Sequence, residues 1–202
     1  GSLPRGEPPP APRERAAAGL SGIRAVPASG GADAGPGSVC LAGLAPPPSD
    51  PSYAAFLVAA LRCMERLAKP GAMPPFQYAP LDDPSVFFLG RDLAPGETPE
   101  AVALDLRSRL APLLASPPEA LERGRALQSL AFFLGTFPLQ DRILAGNLYG
   151  LAFGIGRRVQ TGIDPAALAA SVGRIDADGW RAMVAAFLAP ERLAAAAVLP
   201  AR

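Results

Sequence analysis

Apolar residues recur at spacings of three and four along much of the chain, which predicts amphipathic helices separated by short breaks. The first predicted helix follows a cap at Ser49-Asp50-Pro51 and stops before Pro70-Gly71. A second begins at Thr98-Pro99-Glu100, where a threonine precedes a proline at the first helical position. The sequence Ser116-Pro117-Pro118-Glu119 has the form of a capping box and predicts a third helix that starts with Ser116 as its N-cap.

Two later helices are predicted from acidic caps, at Asp164-Pro165 and at Asp176-Ala177-Asp178. Between them and the third helix, Gly135-Thr136-Phe137-Pro138 must divide a long apolar pattern, because a proline inside a helix costs about 3 kcal/mol. Pro190 ends the last helix. We therefore expect the second half of the chain to be mainly helical.

Strands are predicted where apolar residues run together between turn residues. The first two candidates are Gly22–Val26 and Val39–Ala45, which flank a glycine-rich loop and are expected to pair with each other. Phe76–Pro80 and Val86–Gly90 predict a hairpin, and Leu193–Leu199 predicts a final strand. Because the strands are grouped apart from most helices, we expect an α+β fold, with helices packed on one face of a mostly antiparallel sheet.

The composition places this fold in one domain. The chain has 202 residues, of which 50% are hydrophobic, enough for a single sizeable core. Residues 1–18 have the proline-rich, aperiodic composition of a linker or of a tag remnant, and residues 19–202 are expected to form the domain. We interpret the two cysteines, Cys40 and Cys63, as core thiols.

Charge and hydropathy exclude several classes of partner. Nineteen basic and eighteen acidic residues give a net charge of +1, so no field favours nucleic acid. No apolar run approaches the length of a membrane span. The abundance of alanine, glycine, proline and arginine indicates a GC-rich genome, and we expect a bacterial protein of the cytoplasm or the periplasm.

The polar residues do not indicate a catalytic site. The chain contains no histidine, and two cysteines cannot build a closed zinc site. Asp82-Asp83 is a turn sequence, and Glu119 with Glu122 suits the first turn of a helix. We therefore predict no catalytic residue, no metal ligand and no cofactor.

The order of these elements resembles one domain of the inverzincin metallopeptidases, the family of insulinase, pitrilysin and the mitochondrial processing peptidase. The match lies in layout and spacing rather than in identities, and it covers roughly residues 22–201. The segments that carry it are Pro118–Arg123, the break at Gly135–Pro138, Asp164–Leu168, Arg174–Asp178 and the final helix and strand.

Catalytic members of that family bind zinc through an H-x-x-E-H helix, which a chain without histidine cannot form. The resemblance therefore implies the C-terminal, inactive domain of such a peptidase. It further implies pairing with a zinc-bearing homologue, on the same chain or a separate one, to enclose an unfolded peptide in a degrading or processing chamber. The alternative is a structural module that kept the fold without handling peptides, as the core subunits of a respiratory complex have done.

The resemblance also suggests where a peptide would be held. The zinc-free half of such peptidases contributes an arginine and a tyrosine from an Arg-x-x-x-Gly-Leu-x-Tyr-like stretch. Tyr78 takes the place of that tyrosine, whereas the arginine is not matched and Lys69 lies in a shortened segment before it. Tyr78 and Lys69 are therefore the predicted substrate-binding residues, although Tyr78 is equally suited to a half-buried strand.

Overall fold

A computed structural model of the protein describes residues 23–27, 37–67, 76–78, 85–133, 159 and 162–199. A five-stranded sheet with the strand order β1-β5-β2-β4-β3 forms its centre. The strands are β1 Ile23–Pro27, β2 Ser38–Leu44, β3 Phe76–Tyr78, β4 Val86–Asp92 and β5 Ala194–Leu199.

The strand pairing is mostly antiparallel, as predicted. β4 lies between β3 and β2 and is antiparallel to both, and β2 is antiparallel to β5. The expected pairing of β1 with β2 is wrong, because β5 lies between them and pairs in parallel with β1. A loop rich in turn residues indicates that a strand precedes it and another follows it, but it does not indicate which strands pair. Here β5, from a distant part of the sequence, pairs with both β1 and β2.

Five α-helices cover one face of this sheet in the described part of the chain, which confirms the α+β prediction. They are α1 Tyr53–Leu67, α2 Pro99–Leu114, α3 Ala120–Phe133, α4 Pro165–Gly173 and α5 Ala177–Met183. A π-helical turn, Val184–Leu188, continues α5, and a 3₁₀ turn, Pro190–Arg192, leads into β5.

Three of the predicted caps stabilise helix N-termini as expected. The Thr98 hydroxyl accepts a hydrogen bond from the Ala101 N–H at 3.3 Å. Asp164 accepts from Ala166 N–H at 2.9 Å, and Asp176 accepts from Gly179 N–H at 2.7 Å. Each bond satisfies one of the backbone donors that a helix leaves unpaired in its first turn.

The predicted cap at Ser116 is wrong, because α3 begins four residues later, at Ala120. Its first turn is closed by the Glu119 carbonyl, which accepts from the Arg123 N–H at 2.9 Å. The cause is the double proline, since Pro118 disfavours a helical conformation in the residue before it. The chain from Ser116 to Glu119 is therefore a short non-helical connection between α2 and α3.

The central helix is α1, which is buried on nearly every side rather than along one stripe. It contacts α2, α3, α4, α5 and β3. Phe56 packs edge-on against Phe76 and Phe87, with ring centroids 5.9 and 5.5 Å apart, and Phe76 stacks on Phe87 at 5.2 Å. This aromatic cluster joins α1 to β3 and β4 and forms the middle of the core.

Three sequence predictions fall on residues outside the described ranges. They are the linker at residues 1–18, the break at Gly135–Pro138 and the position of Lys69, and each stays a prediction. The extent of the domain, residues 19–202, likewise stays a prediction. Among the helices that the structure describes, none combines the length and apolar character of a membrane span.

Candidate docking surface

The sheet face that points away from the helices is apolar. Alternation along the strands sends Val39 and Leu41 of β2, like Phe87 and Leu89 of β4, into the core, where their exposed fractions are at most 1%. The residues between them line the opposite face, which we call the open face. On the three central strands its members are Ser38, Cys40, Ala42 and Leu44 of β2, Val86, Phe88, Gly90 and Asp92 of β4, and Ala194, Ala196 and Val198 of β5.

Small side chains occupy the middle of the open face. Ala194, Ala196, Cys40, Ala42 and Gly90 are neighbours in the strand register. Larger residues border this floor: Val198 on one side, and Phe88 with Leu44 on the other. Their exposed fractions are 46%, 44% and 57%. The three central strands therefore present small side chains between larger, exposed apolar ones on the open face.

Cys40 lies on the open face, opposite Ala196 and Gly90 in the strand register. Its prediction as a core thiol is wrong, because strand alternation gives the core positions to Val39 and Leu41. Its side chain is half-buried, and partial burial raises the pKa of the thiol. The prediction for Cys63 is confirmed: this residue is fully buried in α1, and burial raises its pKa to about 12.

A buried charged residue lies among the helices: Arg62 of α1 has an exposed fraction of 7%. Its guanidinium donates to both carboxylate oxygens of Glu122, at 2.5 and 2.6 Å. It also donates to the carbonyls of Leu113 and Ser116, at 3.0 and 2.7 Å. Arg62 thus joins α1 to the end of α2 and the start of α3.

The aromatic ring of Trp180 completes this buried centre. The Arg62 guanidinium carbon lies 4.8 Å from the ring centroid, within range of a cation–π interaction. Trp180 Nε1 donates to the Leu114 carbonyl at 2.9 Å, so two side chains satisfy carbonyls that the end of α2 leaves unpaired. The hydrogen bond from Arg62 lowers the pKa of Glu122.

An open cavity of about 480 Å³ lies beside this centre. Besides Arg62 and Glu122, its lining includes charged residues of both signs: Arg66, Arg125, Glu65 and Glu119. Arg62 itself is occupied by four protein acceptors. The arrangement is a structural ionic centre rather than a site for a charged ligand.

The donor set of the chain does not fit a zinc site of the peptidase type. The sequence contains no histidine, so neither imidazole of an H-x-x-E-H helix can be supplied. Within the described ranges, no three Cys, Asp or Glu side chains form a group that could hold a metal ion.

The two predicted substrate residues are placed only in part. Tyr78 ends β3, and its backbone pairs with Phe87 of β4. Lys69 lies outside the described residues, two positions after the end of α1. Their roles stay predictions.

Sequence reasoning missed Arg62 and the open face. The signal for the open face was present, because β2 and β5 are almost continuously apolar, which is typical of strands covered on both faces.

Several solved structures have a fold similar to that of this chain. A protein assigned as a zinc protease in Bordetella pertussis Tohama I superposes with a TM-score of 0.60 at 16% identity, over 82% of this chain and 95% of that one. The peptidase M16 inactive domain from Pseudomonas fluorescens superposes with a TM-score of 0.53 at 16% sequence identity, over 90% of this chain and 43% of that one.

The chain therefore has the fold of the M16 peptidase domains to which it is similar. The predicted resemblance is confirmed at this level. A chain of Complex III₂ from Candida albicans has the same fold, with a TM-score of 0.52 at 15% identity over 89% of this chain and 40% of that one. Comparison of the sequence with protein-family models and with curated proteins gives no match.

Proposed function

We propose that this protein is a non-catalytic M16-like domain that pairs with a zinc-bearing homologous domain or subunit. Together the two units would form a chamber in which peptides are degraded or processed. The observation that carries the proposal is the fold of an inactive M16 peptidase domain in a chain that has no histidine. Such a chain can contribute walls and contacts to a peptidase but not the imidazole ligands of its zinc.

Two further observations support the proposal. The protein leaves an apolar sheet face exposed, which is typical of a surface that another molecule covers. The chain also spans 43% of the Pseudomonas fluorescens protein, which leaves room there for a second unit of similar size.

The proposal can be tested with metal analysis and a peptidase assay. The partner to use is the protein or domain that carries H-x-x-E-H in the same gene or an adjacent one. We expect the purified chain to contain no stoichiometric zinc and to cleave no unfolded peptide, whereas the mixture should cleave it faster than the partner alone. Intrinsic zinc and cleavage, or a partner whose activity is unchanged by this chain, would contradict the proposal.

The second candidate function is that of a structural module without peptide handling. The presence of the same fold in a chain of Complex III₂ favours this candidate. It is also favoured because this chain has no arginine at the position before Tyr78 where the family has one. Photo-crosslinking of an unfolded peptide to the assembled pair separates the two candidates. Crosslinks close to Tyr78 support peptide handling, and their absence in a stable pair supports the structural module.

A further inference from the structure

We draw no further inference here: the strongest candidate, the open cavity of about 480 Å³ between α1, the end of α2 and the start of α3, belongs to the ionic centre of Arg62 and Glu122 already described, and its basic and acidic residues balance in charge, so that no class of ligand is favoured.

Discussion

Arg62 connects three helices from within a segment of α1 that is otherwise almost entirely apolar. A buried guanidinium is tolerated there because it contacts acceptors and an aromatic ring: Glu122, the carbonyls of Leu113 and Ser116, and Trp180. The spacing of the arginines along the sequence does not distinguish Arg62 from exposed arginines such as Arg109. The burial of this one follows from the packing of α3 against α1, which no local pattern encodes.

We predict that Arg62→Met destabilises the protein by about 1–3 kcal/mol, because it leaves two carbonyls without their donor and leaves Glu122, which is 31% exposed, to be paired by water alone. The free energy of unfolding in urea measures the change. Arg109→Met is the matched control: Arg109 is 55% exposed and pairs with Asp105 on the same helix. Loss of that pair should cost about 0.5 kcal/mol or less, and an equal effect of both substitutions would contradict the buried centre.

The same pair predicts a dependence of stability on pH. Arg62 lowers the pKa of Glu122 in the folded protein. The ion pair therefore stabilises the folded state at pH values above the ordinary carboxyl pKa of 4.5, and this stabilisation is lost as the pH falls from 4.5 through the lowered pKa of the folded state. The stability difference between the natural protein and Glu122→Gln should therefore be constant near pH 7 and shrink below pH 4.5. Urea unfolding across this pH range measures the difference in the free energy of unfolding. A difference that grows as the pH falls would contradict a stabilising ion pair between Arg62 and Glu122.

At the scale of elements, caps were the most reliable guide in the sequence. Thr98, Asp164 and Asp176 begin their helices as predicted, because a cap is a contact between residues two or three positions apart. The failure at Ser116 is also local, since two consecutive prolines override the capping box. Strand pairing was not predictable in this way, because the partner of β1 is β5, which lies far along the chain.

We predict that Asp176→Ala destabilises the protein by about 1 kcal/mol, because the Gly179 N–H loses its acceptor. Asp176→Asn keeps a side-chain oxygen in the same place and should cost much less. Thermal unfolding followed by circular dichroism compares the two. Equal losses would show that the charge of Asp176, rather than its hydrogen bond, stabilises α5.

Two glycines provide a matched pair of backbone tests. A Cβ at Gly90 in β4 would lie 2.7 Å from the Val39 carbonyl oxygen, whereas one at Gly124 in α3 would meet nothing within 4 Å. We predict that Gly90→Ala costs about 1–3 kcal/mol through overpacking of the sheet. Gly124→Ala should stabilise by about 0.5–1 kcal/mol, because alanine favours a helix interior. Urea unfolding measures both, and the same sign for the two would refute the close approach of β4 to β2.

At the scale of the whole molecule, the two faces of the sheet differ in what covers them. The inner face carries α1 and the aromatic cluster, and the outer face carries exposed apolar side chains, Leu44, Phe88 and Val198. The layered α+β architecture could be predicted from the grouping of strands and helices. The exposed face could not, because a continuous apolar strand indicates two covered faces without telling whether the second cover comes from the same chain.

We predict that Phe88→Lys makes the isolated chain more soluble without destabilising it by more than about 0.5 kcal/mol. Phe88 is 44% exposed on the open face, so a lysine there breaks an apolar patch without entering the core. Leu104→Lys on α2 is the control, since Leu104 is more exposed, at 68%, but lies away from the open face. Static light scattering at rising concentration should show the larger reduction in self-association for Phe88→Lys.

The position of β5 also determines when the protein can fold during its synthesis. Within the described sheet β1 pairs with β5 alone, and β2 has β5 on one of its two sides. Until the ribosome has made residues 194–199, β1 has no partner and one edge of β2 stays open. Pairings between distant segments form slowly, and unpaired edges attract other chains. A nascent chain of this protein should therefore keep these strand edges unpaired until β5 has left the ribosome.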